Sequence, residues 1–321
     1  MTDRSQIERA AEILRAGGLV AFPTETVYGL GADASNAQAV SRIYAVKGRP
    51  AEHPVIVHFD SAERAFAWAR ELPEVAHRLA EKFWPGPLTL IVKRAAHVGD
   101  FVTGGEDAVG LRVPSHPVAH ELLATFAELK GDARAAGVAA PSANRFGHVS
   151  PTTAAHVRED LGDEVDLILE GGPSEVGIES TIVDLTRERP AVLRPGRISA
   201  EQIEAIAGPL AEARGAPRHS GGLARHYAPR TPALLVAPHA LDAEIARRGG
   251  RIAVLAFSRP DERVAVWLRM PHEPHGYAQR LYAALRELDQ AGCEAILVEA
   301  PPDTPEWAAV RDRLRRATTA A

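Results

Sequence analysis

The sequence predicts an α/β protein in two parts, a mixed twisted sheet domain followed by a smaller parallel α/β domain. Three observations lead there. Short apolar runs alternate with helical patterns through the first 208 residues. Residues 209–230 then lose apolar periodicity and collect Pro209, Pro217, Pro229, Gly215, Gly221 and Gly222. Beyond them strands and helices alternate again, the pattern of a parallel sheet. Length agrees, because 321 residues exceed the ~250–300 at which single cores stop growing. The expected division is 1–208, a linker at 209–230, and 231–321.

Element by element, Ile7, Ala10, Ala11 and Leu14 recur at helical spacing until Gly17-Gly18 stops them. Leu19 to Phe22 reads as a buried strand ending at Pro23, with a polar loop before the next helix, Ala37 to Val46. Val55 to Phe59 is a strand, and two helical stretches end near Trp84. Further strands are expected at Leu88–Lys93, Val109–Val113, Val138–Ala140, Val165–Leu169, Thr181–Leu185 and Ala191–Leu193. His116-Pro117 reads as a rigid turn, and a helix should follow Ser150-Pro151-Thr152-Thr153. In Ser199–Ala207, Ser199 and Gln202 have capping-box spacing and Gly208 suits the stop. The second part reads as strands Ala233–Ala237, Ile252–Phe257, Val264–Leu268 and Ala295–Glu299, with helices Leu241–Arg247, Gly276–Gln290 and Glu306–Arg316.

Composition removes several classes of function. With 45% hydrophobic and 25% charged residues and a net charge of -5, the chain is globular but not a general nucleic-acid binder, which would be basic. Its one cysteine, Cys293, cannot make an internal disulfide or a thiolate-rich zinc site, and is expected to be a small buried side chain. No run reaches the ~20 apolar residues of a membrane span, and the charged start has no secretory pattern, so a cytoplasmic protein is expected.

Unusual residues concentrate at Pro23–Gly31, just past a strand end, where α/β proteins place ligands. Gly29, Gly31 and Ala34 match a dinucleotide fingerprint only superficially, since no helix follows directly. Glu25 is either a general base or a solvated, locally bonded loop residue. Lys47-Gly48-Arg49 offers two cations suited to a polyphosphate, or simply positive charge at a helix C-terminus. Ser142, Asn144 and Ser150 supply small donors at a strand end and a helix start, useful for anions and equally for capping. Arg194 follows a strand as a possible anion clamp. Arg112 interrupts an apolar strand and needs a carboxylate, from the protein or from a ligand. His116/His120 and His272/His275 fit no zinc motif, so no metal site is expected.

The segments PTETVYGLGADA (23–34), KGRP (47–50), PVIVH (54–58), WPGPLTLIV (84–92), LRVPSHP (111–117), APSAN (140–144), SPTTA (150–154), GIESTIVD (177–184), LRPG (193–196) and HYAP (226–229) together carry a resemblance. The chain resembles the threonylcarbamoyl-AMP synthases of the long type, with a YrdC-like catalytic domain and a small Rossmann-like C-terminal domain. That resemblance implies threonine binding at Thr24, His58, Arg112 and Ser180, with backbone help at Ala140. It implies ATP binding at Lys47, Arg49, Ser142, Asn144, Ser150, Arg194 and Tyr227, with Lys47 and Arg49 as the catalytic cations. Tyr227 falls in the linker, so the linker is expected to fold over the nucleotide. Also implied are L-threonine, bicarbonate or CO2 and ATP as substrates, Mg2+ accompanying ATP, and downstream machinery that transfers the product to a tRNA adenosine. The sequence departs from the family pattern at Gly110, across Lys130–Gly137, and at 220–225, where the usual Pro-Gly is missing. A carbamoyl-transfer enzyme of hydrogenase maturation would need acylphosphatase-like and cysteine-rich segments that this chain lacks, and a non-catalytic RNA-binding module conflicts with the acidic charge.

Overall fold

The structure, a computed structural model, describes residues 2–319. It divides into two compact units. The first runs to Phe146 and adds Pro151–Glu175 and Glu179–Gly222; the second takes Gly147–Ser150, Val176–Ile178 and the chain from Leu223.

In the first unit the order is α1 (Arg4–Arg15), β1 (Val20–Phe22), β2 (Gly29–Asp33), α2 (Ala37–Lys47), β3 (Ile56–His58), α3 (Ala62–Phe66), α4 (Glu74–Phe83) and β4 (Leu88–Lys93). There follow α5 (Asp100–Thr103), β5 (Ala108–Arg112), α6 (Pro117–Lys130), β6 (Val138–Ala139), α7 (Ala154–Leu161), β7 (Leu167–Ile168), β8 (Thr181–Asp184), β9 (Ala191–Arg194) and α8 (Ala200–Ala207). The strands form one mixed sheet of nine in the order β7-β1-β2-β6-β3-β5-β4-β8-β9. Three pairs are parallel (β1/β7, β3/β5, β4/β8) and the other five antiparallel. This is the mixed α/β sheet that the sequence predicts.

Two apolar layers hold the sheet. One face packs Ala21, Leu30, Val57, Leu90 and Leu111 against α2 and α4 through Ile43 and Leu79. On the other, α1 and α6 bury Leu14 and Phe126 with Phe22 and Val138. The capping box expected at Ser199 is present, Ser199 Oγ accepting the Gln202 N–H and the Gln202 side chain returning to the Ser199 N–H.

Several expectations are corrected. The stretch after Pro23 is not loop throughout, because Gly29–Asp33 is β2, paired with both β1 and β6. Strand propensity argues against glycine, but at Gly31 a Cβ would lie 2.8 Å from Phe22 and 3.0 Å from Val138, so only glycine admits the close packing. His116-Pro117 is a helix start rather than an isolated turn: Pro117 is the first residue of α6, and His116 Nδ1 accepts the Val118 N–H at 3.2 Å. Cys293 is half-buried in the turn before the last strand, not enclosed in the core.

The second unit contains β10 (Ala233–Val236), α9 (Leu241–Arg248), β11 (Ile252–Ala256), β12 (Val266–Arg269), α10 (Pro274–Asp289), β13 (Ala295–Glu299) and α11 (Ala308–Thr318). Its four strands are all parallel, in the order β10-β13-β11-β12. Segment 223–227 is tied to α11: Arg316 donates to the Leu223 carbonyl, and the His226 N–H donates to the Arg316 carbonyl at 3.2 Å. Tyr227, in the left-handed region at φ 59°, is 1% exposed. Its ring lies 4.2 Å from that of His226 and 5.4 Å from the Arg313 guanidinium.

Candidate active site

Of the residues singled out above, Thr24, Lys47, Arg49, His58, Arg112, Ala140, Ser142, Asn144, Ser180 and Arg194 lie in the first unit, whereas Ser150 and Tyr227 belong to the second. The sheet does the gathering. His58 is in register with Arg112 across β3 and β5, so both side chains leave the same face. Leu90 pairs with Leu111, which sets Thr89 beside Arg112 one residue on. Thr89 pairs with Ile182, and Ile182 with Arg194. A single row across four strands and into a fifth thus carries His58, Arg112, Thr89, Ile182 and Arg194 on one face.

Hydrogen bonds knit that row together. Thr89 Oγ1 and Ser180 Oγ share one at 2.8 Å. Arg194 donates from Nε to the Ser180 carbonyl at 3.0 Å and from Nη2 to the Ser180 hydroxyl at 3.1 Å. Its Nη1 donates to the Ser220 carbonyl at 3.1 Å, and the Ser220 hydroxyl lies 3.5 Å from Arg49 Nη2. Two of the predicted cations therefore converge on Ser220.

Lys47 and Arg49 owe their placement to Gly48, which ends α2 at φ 62° and ψ 34°, a conformation that costs a side-chain-bearing residue ~1–2 kcal/mol. The Lys47 ammonium donates to the carbonyls of Ser142 and Asn144, each at 2.6 Å. Ser142 in turn bridges to Gly29, so the cation adjoins the loop that bears Thr24. Burial, and then the charge of Arg49, pushes the Lys47 pKa well below its ordinary value; an anion at this point would favour the charged form. Arg49 donates to the Pro54 carbonyl at 2.8 Å.

Thr24 is 2% exposed, its hydroxyl donating to the Val27 carbonyl at 2.6 Å and shared with Thr26 Oγ1 at 2.8 Å. Ala140 donates its N–H to the Ile56 carbonyl at 2.9 Å, beside the same strand end. His58 is 3% exposed, and burial followed by Arg112 lowers its pKa to about 3, so the ring is neutral. Its Nδ1 is buried without a hydrogen-bond partner among the described residues. Arg112 finds the carboxylate its strand position demands in Glu25, at 2.6 Å.

A small open pocket lies on this face, with Ile56, Thr89, Gly110, Ile91 and Ile182 in its wall and Ser220 at its edge. A Cβ added at Gly110 would be 3.4 Å from Ile56 and 3.5 Å from Thr89, ordinary contacts, so a methyl group would fit in this wall. Sequence reasoning missed Thr26, Thr89 and Ser220, and left Glu25 undecided. Thr89 alone had a visible signal, as the one hydroxyl in the strand LTLIV.

A family model described as "Telomere recombination", covering the Sua5, YciO and YrdC proteins, matches residues 12–196, and one described as "Threonylcarbamoyl-AMP synthase, C-terminal domain" matches 198–319. The threonylcarbamoyl-AMP synthase of Pyrococcus abyssi is 38% identical over 98% of this chain and 94% of its own length. The chain belongs to the threonylcarbamoyl-AMP synthase family. Another member, from Bacillus subtilis, is also 38% identical, again over 98% and 94% of the two chains. Among solved members, the crystal structure of P. abyssi Sua5 complexed with L-threonine aligns with a TM-score of 0.89 and 36% identity, covering 99% of this chain and 95% of that one. Membership in this nucleotidyltransferase-type family thus extends over both units.

Proposed function

We propose that the face carrying His58, Arg112 and Arg194 holds threonine beside a triphosphate and makes threonylcarbamoyl-AMP, the family's product. The observation that carries this reading is the register that sets buried His58 beside buried Arg112, with His58 Nδ1 lacking a hydrogen-bond partner among the described residues. Buried polar groups are nearly always satisfied, and an exception invites a ligand.

In this reading Arg112 pairs with the threonine carboxylate, while Thr24, His58, Ser180 and the backbone at Ala140 meet its other polar groups. Lys47, Arg49 and Arg194 balance phosphate charge. Ser142, Asn144, Ser150 and Tyr227 are assigned to the nucleotide by their motifs. The division at 208 and 230, with the linker serving the nucleotide, belongs to the same reading.

Threonine's amine combines with CO2 to give a carbamate and a proton, or with bicarbonate to give a carbamate and water. A carbamate oxygen attacks the α-phosphorus; the new O–P bond forms as the α–β bridging bond breaks, and pyrophosphate leaves with the electron pair. No protein nucleophile is needed, so catalysis is positioning plus neutralisation of charge. The neutral His58 ring adds no positive charge beside Arg112, which leaves the carboxylate to the guanidinium. Among the described residues no group of three or more His, Cys, Asp or Glu is placed to hold a metal, so Mg2+ in this proposal arrives with ATP as part of the substrate. The product would then pass to machinery that modifies the tRNA adenosine next to the anticodon. No described helix is long and apolar enough to cross a membrane, and a cytoplasmic setting is part of the proposal.

The test is pyrophosphate release from ATP and bicarbonate with and without L-threonine. Release should require threonine. Equal release without it, or none with it, would count against the reading.

A further inference from the structure

Glu25 is 4% exposed, in the loop between β1 and β2. Its Oε1 accepts from Arg112 Nη2 at 2.6 Å and its Oε2 from the Ser115 N–H at 3.1 Å. Thr26 Oγ1 accepts from Arg112 Nη1 at 2.9 Å, and Arg112 Nε reaches the Gly86 carbonyl at 3.4 Å. A guanidinium has five N–H groups, one on Nε and two on each terminal nitrogen. These contacts use the Nε one and one on each terminal nitrogen. Among the described residues these contacts leave one N–H on Nη1 and one on Nη2, one on each of the two nitrogens that a carboxylate can bridge.

We infer that Glu25 is a positioning residue for threonine recognition. Together with Thr26 it fixes the rotation of the Arg112 guanidinium, so that the remaining pair of N–H groups meets the substrate carboxylate. It also neutralises a buried cation between turnovers, when no substrate anion is present. Both its oxygens are committed to donors, which argues against Glu25 as the base that receives the proton released in carbamate formation. The same carboxylate ties the Thr24 loop to the end of β5 through Ser115, so two threonine-facing groups move as one piece. The inference rests on the assignment of Arg112 to threonine.

The test compares wild type with Glu25→Gln and Glu25→Asp, reading KM for threonine, KM for ATP and kcat by pyrophosphate release, with near-ultraviolet circular dichroism as the check on folding. Glu25→Gln should raise KM for threonine at least ~10-fold, with KM for ATP within about twofold, because only the carboxylate fork is disturbed. If that variant does not fold, Glu25→Asp retains the charge but shortens the reach, and should show the same split. An unchanged KM for threonine in the folded variant overturns the inference. So does a lowered one, which would make Glu25 a competitor of the substrate carboxylate. So does a rise shared equally by threonine and ATP, the mark of general loosening. A wild-type protein with no threonine-dependent release would instead defeat the functional reading.

Discussion

Arg194 grips Ser180 twice, through the backbone carbonyl at 3.0 Å and the side-chain hydroxyl at 3.1 Å. The two residues are 14 positions apart on a hairpin of β8 and β9, and both are buried. One cation thereby orients a hydroxyl whose other partner, Thr89, stands beside Arg112. In the proposed function the triphosphate and threonine halves of the site are coupled through this pair.

Thr89→Val removes the partner that holds Ser180 Oγ from the other side. The expected cost is ~1 kcal/mol of stability, with a several-fold rise in KM for threonine and little change for ATP. Urea unfolding and steady-state kinetics measure both. A rise confined to ATP would contradict the placement.

Lys47→Ala should reduce turnover by ~10²–10³, by analogy with the loss of one charge-stabilising donor. The fold should survive, since the carbonyls of Ser142 and Asn144 lose a shared donor rather than an apolar core. Circular dichroism and pyrophosphate release check the two parts separately, and wild-type turnover would remove Lys47 from the mechanism.

Arg112→Lys is not a conservative change here. A lysine keeps the charge but cannot serve Glu25, Thr26 and a carboxylate fork together. KM for threonine should rise ~100-fold, the worth of a lost charge-assisted pair, while ATP binding measured alone by calorimetry stays near wild type.

His58 links stability to pH. Its folded pKa of about 3 lies below the ordinary histidine value of 6.5, so between these values the unfolded chain binds a proton that the folded protein excludes. Stability therefore falls as pH drops through that window, by up to ~1.4 kcal/mol per pH unit from this group. Urea unfolding at pH 7 and pH 4.5 should show a shallower loss in His58→Asn than in wild type. Equal losses would mean that His58 is protonated in the folded state.

Gly48→Ala meets no atom within 4 Å of the added Cβ, so its cost is the backbone's alone, ~1–2 kcal/mol. Thermal unfolding measures the loss. A larger drop in activity than in stability would report a shift of Lys47 and Arg49.

Local patterns determined most of the elements. Helix α1, strands β4 and β13, and the capped helix at Ser199 follow from apolar period, strand composition and cap residues, all of which act within a few positions. Of the residues that the resemblance motifs named, His58, Arg112 and Arg194 lie in one row on a single face of the sheet. What only the tertiary structure decided are the pairings between distant segments. β2 exists because glycine lets Phe22 and Val138 close on it, and no propensity registers a neighbour more than a hundred residues away. Glu25 is buried because Arg112, 87 residues on, arrives opposite it. Thr89 and Ser220 enter the site through strand register and through a loop that reaches Arg49 and Arg194. Side-chain identity is a local property, whereas register and burial are set by which strands meet, and here the meeting of β3, β5, β4, β8 and β9 placed these groups on one surface.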